Sequence, residues 1–89
     1  MFFMQVKSDV MKDAGIWHRD ILVVDRSLSA KHRRIVIVAI AEDLLIKRLY
    51  NLRDKVLLMP ENKEYKPMGI NHYIESVIWG VVNYVIHKV

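Results

Sequence analysis

The chain has 89 residues, of which 14 are basic and 10 acidic, and its formal net charge at pH 7 is +4. This length predicts a single domain over residues 1–89, and a hydrophobic share of 53% excludes intrinsic disorder. Because the chain contains no cysteine, a disulfide framework, a thiolate zinc site and a cysteine nucleophile are all excluded.

No apolar run approaches the roughly 18 residues that a membrane helix needs, and residues 1–5 lack the basic leader of a signal peptide. We therefore expect a cytoplasmic protein without membrane contact. The basic residues are scattered, except for the cluster Lys31-His32-Arg33-Arg34, which could neutralise about three phosphates. Contact with DNA is accordingly expected to be auxiliary at most.

Short apolar runs rich in valine and isoleucine, separated by charged or turn-forming segments, predict a mainly β protein with six or seven strands. The runs cover residues 2–6, 21–24, 35–40, 44–49, 56–59 and 77–86. One short helical turn is predicted between Met11 and Gly15, because Asp9 is a favourable N-cap and glycine often ends helices. The polar stretch between Pro60 and Pro67 is predicted to be a loop.

The last run, residues 77–86, is apolar on both faces, which a monomer of this size can rarely cover by itself. We therefore predict a homodimer in which one face of this run meets the second copy. The expected interface residues are Val77, Trp79, Val82, Tyr84 and Ile86.

An ordered series of motifs along the whole chain resembles the LexA and UmuD family of self-cleaving SOS proteins. It begins with residues 8–16, Ser-Asp-Val-Met-Lys-Asp-Ala-Gly-Ile, which resemble the family's G-D-S-M and D-x-G-I motifs, and continues through residues 20–25. Further matches are Ala30-Lys31-His32, Ile46-Lys47-Arg48-Leu49, Leu58-Met59-Pro60-Glu61-Asn62, Tyr65-Lys66-Pro67 and Gly80-Val81-Val82. The resemblance, closest to processed UmuD, implies the C-terminal-domain fold of that family, with twisted β-sheets forming a partly open barrel.

The resemblance also implies a serine-lysine dyad, in which a neutral lysine takes the proton of the hydroxyl that attacks a peptide carbonyl. Lys47 occupies the lysine position, and its neighbours Leu45, Ile46 and Leu49 would lower its pKa by desolvation. Val10 occupies the nucleophile position and has no hydroxyl. From spacing alone, an outward-facing strand lysine is the simpler interpretation of Lys47.

Ser8 carries a hydroxyl near the vacant nucleophile position. In an extended segment, residues i and i+2 lie about 7 Å apart, beyond the ~3 Å reach that a dyad requires. We therefore expect a chain without peptidase activity, in which Lys47 is a vestigial base. The glycines that the family has at three turns are replaced here by Arg19, Arg33 and Glu42, so the turn chemistry has changed together with the nucleophile.

The remaining polar residues suggest no cofactor and no metal site. The histidines lack metal-binding spacing and are expected at the surface: His18, His32, His72 and His87. The aspartates at turn edges are expected to bond backbone N–H groups: Asp9, Asp13, Asp20 and Asp25. Trp17 is expected to be an exposed turn residue.

By resemblance, the function is that of a UmuD-like accessory subunit of an error-prone translesion DNA polymerase in the SOS response to DNA damage. Its implied partners are a second copy of the chain, a UmuC-type polymerase and the RecA filament. Because the chain begins nine residues before Val10, neither an N-terminal arm nor a DNA-binding domain is expected. The alternatives are a dimerisation or decoy module of the LexA or prophage-repressor type, and a residual Ser-Lys autoprotease that uses Ser8.

Overall fold

The structure, a computed structural model, describes residues 1–70 and 77–89. The described residues are mainly β, as predicted, and form seven strands. The strands are β1 (Phe2–Gln5), β2 (Ile21–Asp25), β3 (Ile35–Ile40), β4 (Asp43–Asn51), β5 (Val56–Met59), β6 (Met68–Ile70) and β7 (Ile78–Ile86). They make one antiparallel sheet in the order β1-β2-β7-β3-β4-β5-β6, which does not close on itself.

The predicted runs agree with the observed strands within a few residues, and β3 and β5 agree at both ends. Strand β6 has no counterpart among the predicted runs, because it is short and contains a glycine. His72, for which the sequence predicts a surface position, lies outside the described residues. No helix among residues 1–70 and 77–89 is both long enough and apolar enough to cross a bilayer.

Strand β7 is a central strand that pairs with β2 on one side and β3 on the other. Its pairing with β3 skips Trp79, and its pairing with β2 skips Asn83, so each pairing contains a bulge. A bulge shifts the alternation of side chains between the two faces of a sheet. These bulges within the chain therefore explain in part why residues 77–86 are apolar on both faces.

Two hydrophobic clusters lie on opposite faces of the sheet, since adjacent strand residues belong to different clusters. Ile37 and Val82 belong to the first cluster, which residues 6–16 cover. Val36 and Val81 belong to the second cluster, which contains residues of β4 and β5 and packs against β6. Both faces of the central strands are thus buried within one chain.

The helical turn predicted between Met11 and Gly15 is confirmed as a 3-10 turn over Lys12–Ala14. Gly15 ends it with φ 78°, in the left-handed region that glycine adopts at low cost. The predicted capping role of Asp9 is wrong, because Met11 occupies the N-cap position and no side chain caps the turn. The Asp9 backbone carbonyl instead accepts a hydrogen bond from the N–H of Lys12 at 3.1 Å.

At three turns the family has glycine where this chain is expected to have Arg19, Arg33 and Glu42. Two of these residues lie in the left-handed region of backbone conformation. Arg19 has φ 78° and Arg33 has φ 73°. At the third turn, the positive φ of 55° falls on Ala41 rather than on Glu42, because Ala41 is the first residue of the two-residue turn between β3 and β4. A left-handed residue other than glycine costs about 1–2 kcal/mol, so these turns carry local strain.

Gly80→Ala is expected to lower the free energy of unfolding by about 1–3 kcal/mol, the usual cost of overpacking a core. A Cβ atom on Gly80 would lie 2.5 Å from Cγ1 of Val24, which is fully buried and β-branched. Gly69→Ala is the matched control, because its Cβ would lie 4.0 Å from the nearest side-chain atom and stability should rise slightly. Equal effects of the two substitutions in urea denaturation would contradict this packing argument.

Candidate functional site

An apolar cleft of about 480 Å³ opens over one region of the sheet. Residues 4–8 and Val10 line one side of the cleft, and residues 44–47 of β4 line the other. The buried side chains of Leu22 and Ile37 complete the lining from the strands between them. The cleft therefore lies between the two segments in which the motif resemblance implies the dyad positions.

Lys47 and Val10 both line this cleft. Lys47 pairs with Val36 in β3 and has only 8% of its surface exposed. The interpretation of Lys47 as an outward-facing strand lysine is therefore wrong. Val10 is 7% exposed and packs within the first hydrophobic cluster.

Desolvation by burial lowers the pKa of Lys47 from its ordinary value of 10.5. Among the described residues that line the cleft, none carries a carboxylate that could favour the ammonium form. A buried amine in these surroundings holds a larger neutral fraction than an exposed one. Lys47 is thus suited to accept a proton or to act as a nucleophile.

Lys47→Met is expected to raise the free energy of unfolding at pH 7 by about 1–3 kcal/mol, because the buried ammonium carries an uncompensated desolvation cost. The folded-state pKa of Lys47 lies below the unfolded-state value, so the stability of the wild type rises as the pH increases through that interval. The variant should lack this alkaline rise. Lys55→Met, at an exposed lysine, is the control. Parallel urea-denaturation profiles of wild type and Lys47→Met between pH 7 and pH 10 would contradict this assignment.

Ser8 also lines the cleft and is half-buried. Strand β1 ends at Gln5, and residues 8–10 form bends and a turn, so the expectation of an extended Ser8–Val10 segment is wrong. The separation of about 7 Å that an extended segment implies therefore does not apply here. The alternative that Ser8 serves as a nucleophile has to be tested by cleavage.

Residues 61–65 bind the turn that carries Val10. The N–H of Glu61 donates to the Val10 carbonyl at 3.0 Å, and Asn62 Nδ2 donates to the Asp9 carbonyl at 2.9 Å. The Tyr65 hydroxyl donates to Asp9 Oδ1 at 2.7 Å, and this bond raises the pKa of Tyr65. The sequence predicts a loop between Pro60 and Pro67, but it does not reveal that this loop positions the edge of the cleft.

Arg48 links this loop to the basic cluster. Its Nε lies 2.6 Å from Glu61 Oε1 in an ion pair, and its Nη1 donates to the Arg33 carbonyl at 2.7 Å. His32 is engaged as well, since its Nδ1 accepts the N–H of Asn51 at 3.0 Å. All four residues of the basic cluster thus make hydrogen bonds within the chain, and auxiliary contact of the cluster with DNA stays a prediction.

Asp20 is the most completely buried acidic residue among those described, with 2% of its surface exposed. Its Oδ2 accepts the N–H of Trp17 at 2.8 Å, as expected of a turn aspartate, and its Oδ1 lies 2.6 Å from His87 Nδ1. Asp25 follows the same expectation by accepting from the N–H and hydroxyl of Ser27. The side chain of His87 is 60% exposed, so it lies at the surface as predicted while binding Asp20.

The residues predicted to form a dimer interface occupy different environments. Val82 is buried in the first cluster, and Val77 is half-buried. Trp79 packs edge-to-face against Phe2 at 5.1 Å, while the guanidinium carbon of Arg26 lies 4.4 Å from the centre of its ring.

Tyr84 and Ile86 are exposed by 66% and 52%. The register places Tyr84 in one row with Val23 and the 70% exposed Phe3, and Ile86 lies two residues further along the same face. We call Phe3, Tyr84 and Ile86 the outer apolar strip. The contribution of Phe3 could not be predicted from the sequence, because pairing between distant strands brings Phe3 to this face. Trp17 is 48% exposed, as predicted.

The chain belongs to the Peptidase S24-like family, which matches residues 1–83. It is 44% identical over 84 residues to Protein MucA of Escherichia coli and of Salmonella typhimurium, an alignment that covers 93% of this chain and 57% of MucA. It is also 39% identical over 70 residues to the LexA repressor of Hahella chejuensis, covering 79% of this chain and 35% of the repressor.

These matches confirm the resemblance to the LexA and UmuD family. The chain spans somewhat more than half the length of MucA and about a third of the length of the LexA repressor. The activity and the partners of those longer proteins are therefore considered as proposals below.

Proposed function

We propose that this chain is a UmuD-like accessory subunit of an error-prone translesion DNA polymerase in the SOS DNA-damage response, acting by protein contact without cutting peptides. The observation that carries the proposal is that Val10, which the motif resemblance assigns to the nucleophile position, lines the cleft together with Lys47. Its buried side chain has no hydroxyl, although the fold and the cleft with Lys47 are retained. A scaffold that keeps its fold while lacking its nucleophile is suited to binding rather than to hydrolysis.

The outer apolar strip supports a role in protein contact. Phe3 on β1 presents a large apolar side chain on the same face as Tyr84 and Ile86 on β7, with β2 between the two strands. Exposed apolar surface of this kind is typical of interaction sites. A two-fold symmetric contact would bury this strip against the same strip of a second copy.

Tyr84→Asp is expected to weaken dimerisation, because it places a charge at the centre of the outer apolar strip. The wild type should sediment as a dimer at about tens of micromolar, and the variant should dissociate at least about tenfold more readily, since an uncompensated charge in an interface costs several kcal/mol. Leu52→Asp, which changes an exposed apolar residue after β4, is the control and should leave the dimer intact. A wild-type monomer at this concentration would contradict the proposed homodimer.

The second candidate is a dimerisation or decoy module for a LexA-type or prophage repressor. The identity to the LexA repressor, which covers 79% of this chain, favours keeping it. The identity to MucA is higher and covers more of the chain, which supports the UmuD-like role.

Co-purification separates the two candidates. An affinity-tagged chain would be expressed in the same cells as a UmuC-type polymerase and a LexA-type repressor. The proposal predicts that the polymerase co-purifies with the chain and the repressor does not. Recovery of the repressor alone would instead support the decoy module.

A further inference from the structure

We propose that Lys47 is a reactive amine that forms imines with small apolar aldehydes entering the cleft. The proposal concerns the chemistry of the cleft alone, so it holds whichever protein partner the chain has.

The cleft has the size and the lining of a small-molecule site. Its volume of about 480 Å³ lies within the range of about 300 to 1,000 Å³ that is usual for ligand pockets. Met4, Leu22, Ile37 and Leu44 give it an aliphatic lining. An apolar chain that enters this space leaves water, and each buried CH₂ group favours binding.

The amine of Lys47 is chemically prepared for this reaction. An exposed lysine, with a pKa of about 10.4, is neutral in fewer than one of about 10³ molecules at pH 7. Burial lowers the pKa of Lys47 and so enlarges its neutral, nucleophilic fraction. Val10, which lines the same cleft, contributes methyl groups rather than a hydroxyl.

The reaction balances without an oxidant, a reductant or a metal. The Lys47 nitrogen attacks the aldehyde carbon, and a proton moves from nitrogen to oxygen to give a carbinolamine. The carbinolamine loses water, and the carbon–nitrogen double bond forms.

The test uses the wild-type chain with hexanal and sodium cyanoborohydride at pH 7. The hydride reduces each imine to a stable secondary amine, and peptide mapping by mass spectrometry then measures the rate at every lysine. Lys47 is expected to be modified at least about tenfold faster than the exposed Lys7, because burial lowers the pKa of Lys47 and so enlarges its neutral fraction. Lys7 is the matched internal control, because it lines the same cleft.

Three further arms decide between a built site and simple lysine chemistry. An excess of 1-hexanol should slow the modification of Lys47 but not that of Lys55, and glycolaldehyde should modify Lys47 more slowly than hexanal. Unfolding in urea should abolish the preference for Lys47. Equal rates at Lys47 and Lys7, no discrimination between the two aldehydes, or a preference that persists in urea would each overturn the proposal.

Discussion

Replacing Asp20 by alanine is expected to lower the free energy of unfolding at pH 7 by about 3 kcal/mol, because hydrogen bonds to a charged acceptor are worth about 1.5 to 3 kcal/mol each. The variant loses the bond from the Trp17 N–H and the contact with His87. The Trp17 N–H loses its acceptor in a partly buried turn. Asp25→Ala is the matched control at a half-buried turn aspartate whose hydrogen bonds to Ser27 are exposed to solvent, and its effect should be much smaller.

The effect of Asp20→Ala should depend on pH in a defined direction. Burial raises the pKa of Asp20, but the bonds from Trp17 and His87 outweigh it and hold the pKa below 3.8. The carboxylate therefore contributes stability above that pH and loses it as the pH falls through the folded-state pKa. Urea denaturation at several pH values should show the difference between wild type and variant shrinking below about pH 4. A difference that stays constant down to the acid limit would contradict the role of the carboxylate charge.

Val10→Ser is expected to create cleavage of a UmuD-type arm peptide supplied in trans, because it places a hydroxyl in the cleft that Lys47 already lines. Removing the nucleophile of a serine protease costs about 10⁶-fold in rate, and a displacement of 1 Å can cost about 10²-fold. A gain of at least about 10²-fold over the wild type is therefore expected even if the strained turns displace the strands. Mass spectrometry at alkaline pH, where the lysine is most fully neutral, measures the rate.

The controls assign each role separately. Val10→Ala changes the size of the side chain without adding a hydroxyl and should stay inactive, as should Val10→Ser combined with Lys47→Ala. Cleavage by the double variant would show that the base is not Lys47. Cleavage by the wild type that disappears in Ser8→Ala would overturn the interpretation of an inactive scaffold and favour Ser8 as the nucleophile.

The strands could be predicted from the sequence because apolar and mainly β-branched residues are concentrated in short runs, and every run except the mostly exposed β1 buries at least one face. The bulges at Trp79 and Asn83 could not be predicted, since a bulge depends on the register of a strand with both of its neighbours. The same limitation hides the outer apolar strip, which joins Phe3 to Tyr84 across the intervening strand β2.

The candidate site, too, could be predicted from the sequence only in part. The positions of Val10 and Lys47 came from motifs that resemble the family, whereas the burial of Lys47 required the structure, because spacing alone favours an exposed strand lysine. The hydrogen bonds from Asn62 and Tyr65 to Asp9 link residues more than fifty positions apart. Local sequence contains no signal for such contacts.

The central claim is that this scaffold supports a translesion polymerase by contact and needs no chemistry in its cleft. The most direct measurement is primer extension across an abasic site by a UmuC-type polymerase with RecA filaments, in the presence and absence of the purified chain. Addition of the wild type is predicted to increase the full-length product, and Lys47→Met should support the same increase. No increase with the wild type, or an increase that is lost in Lys47→Met, would contradict the account.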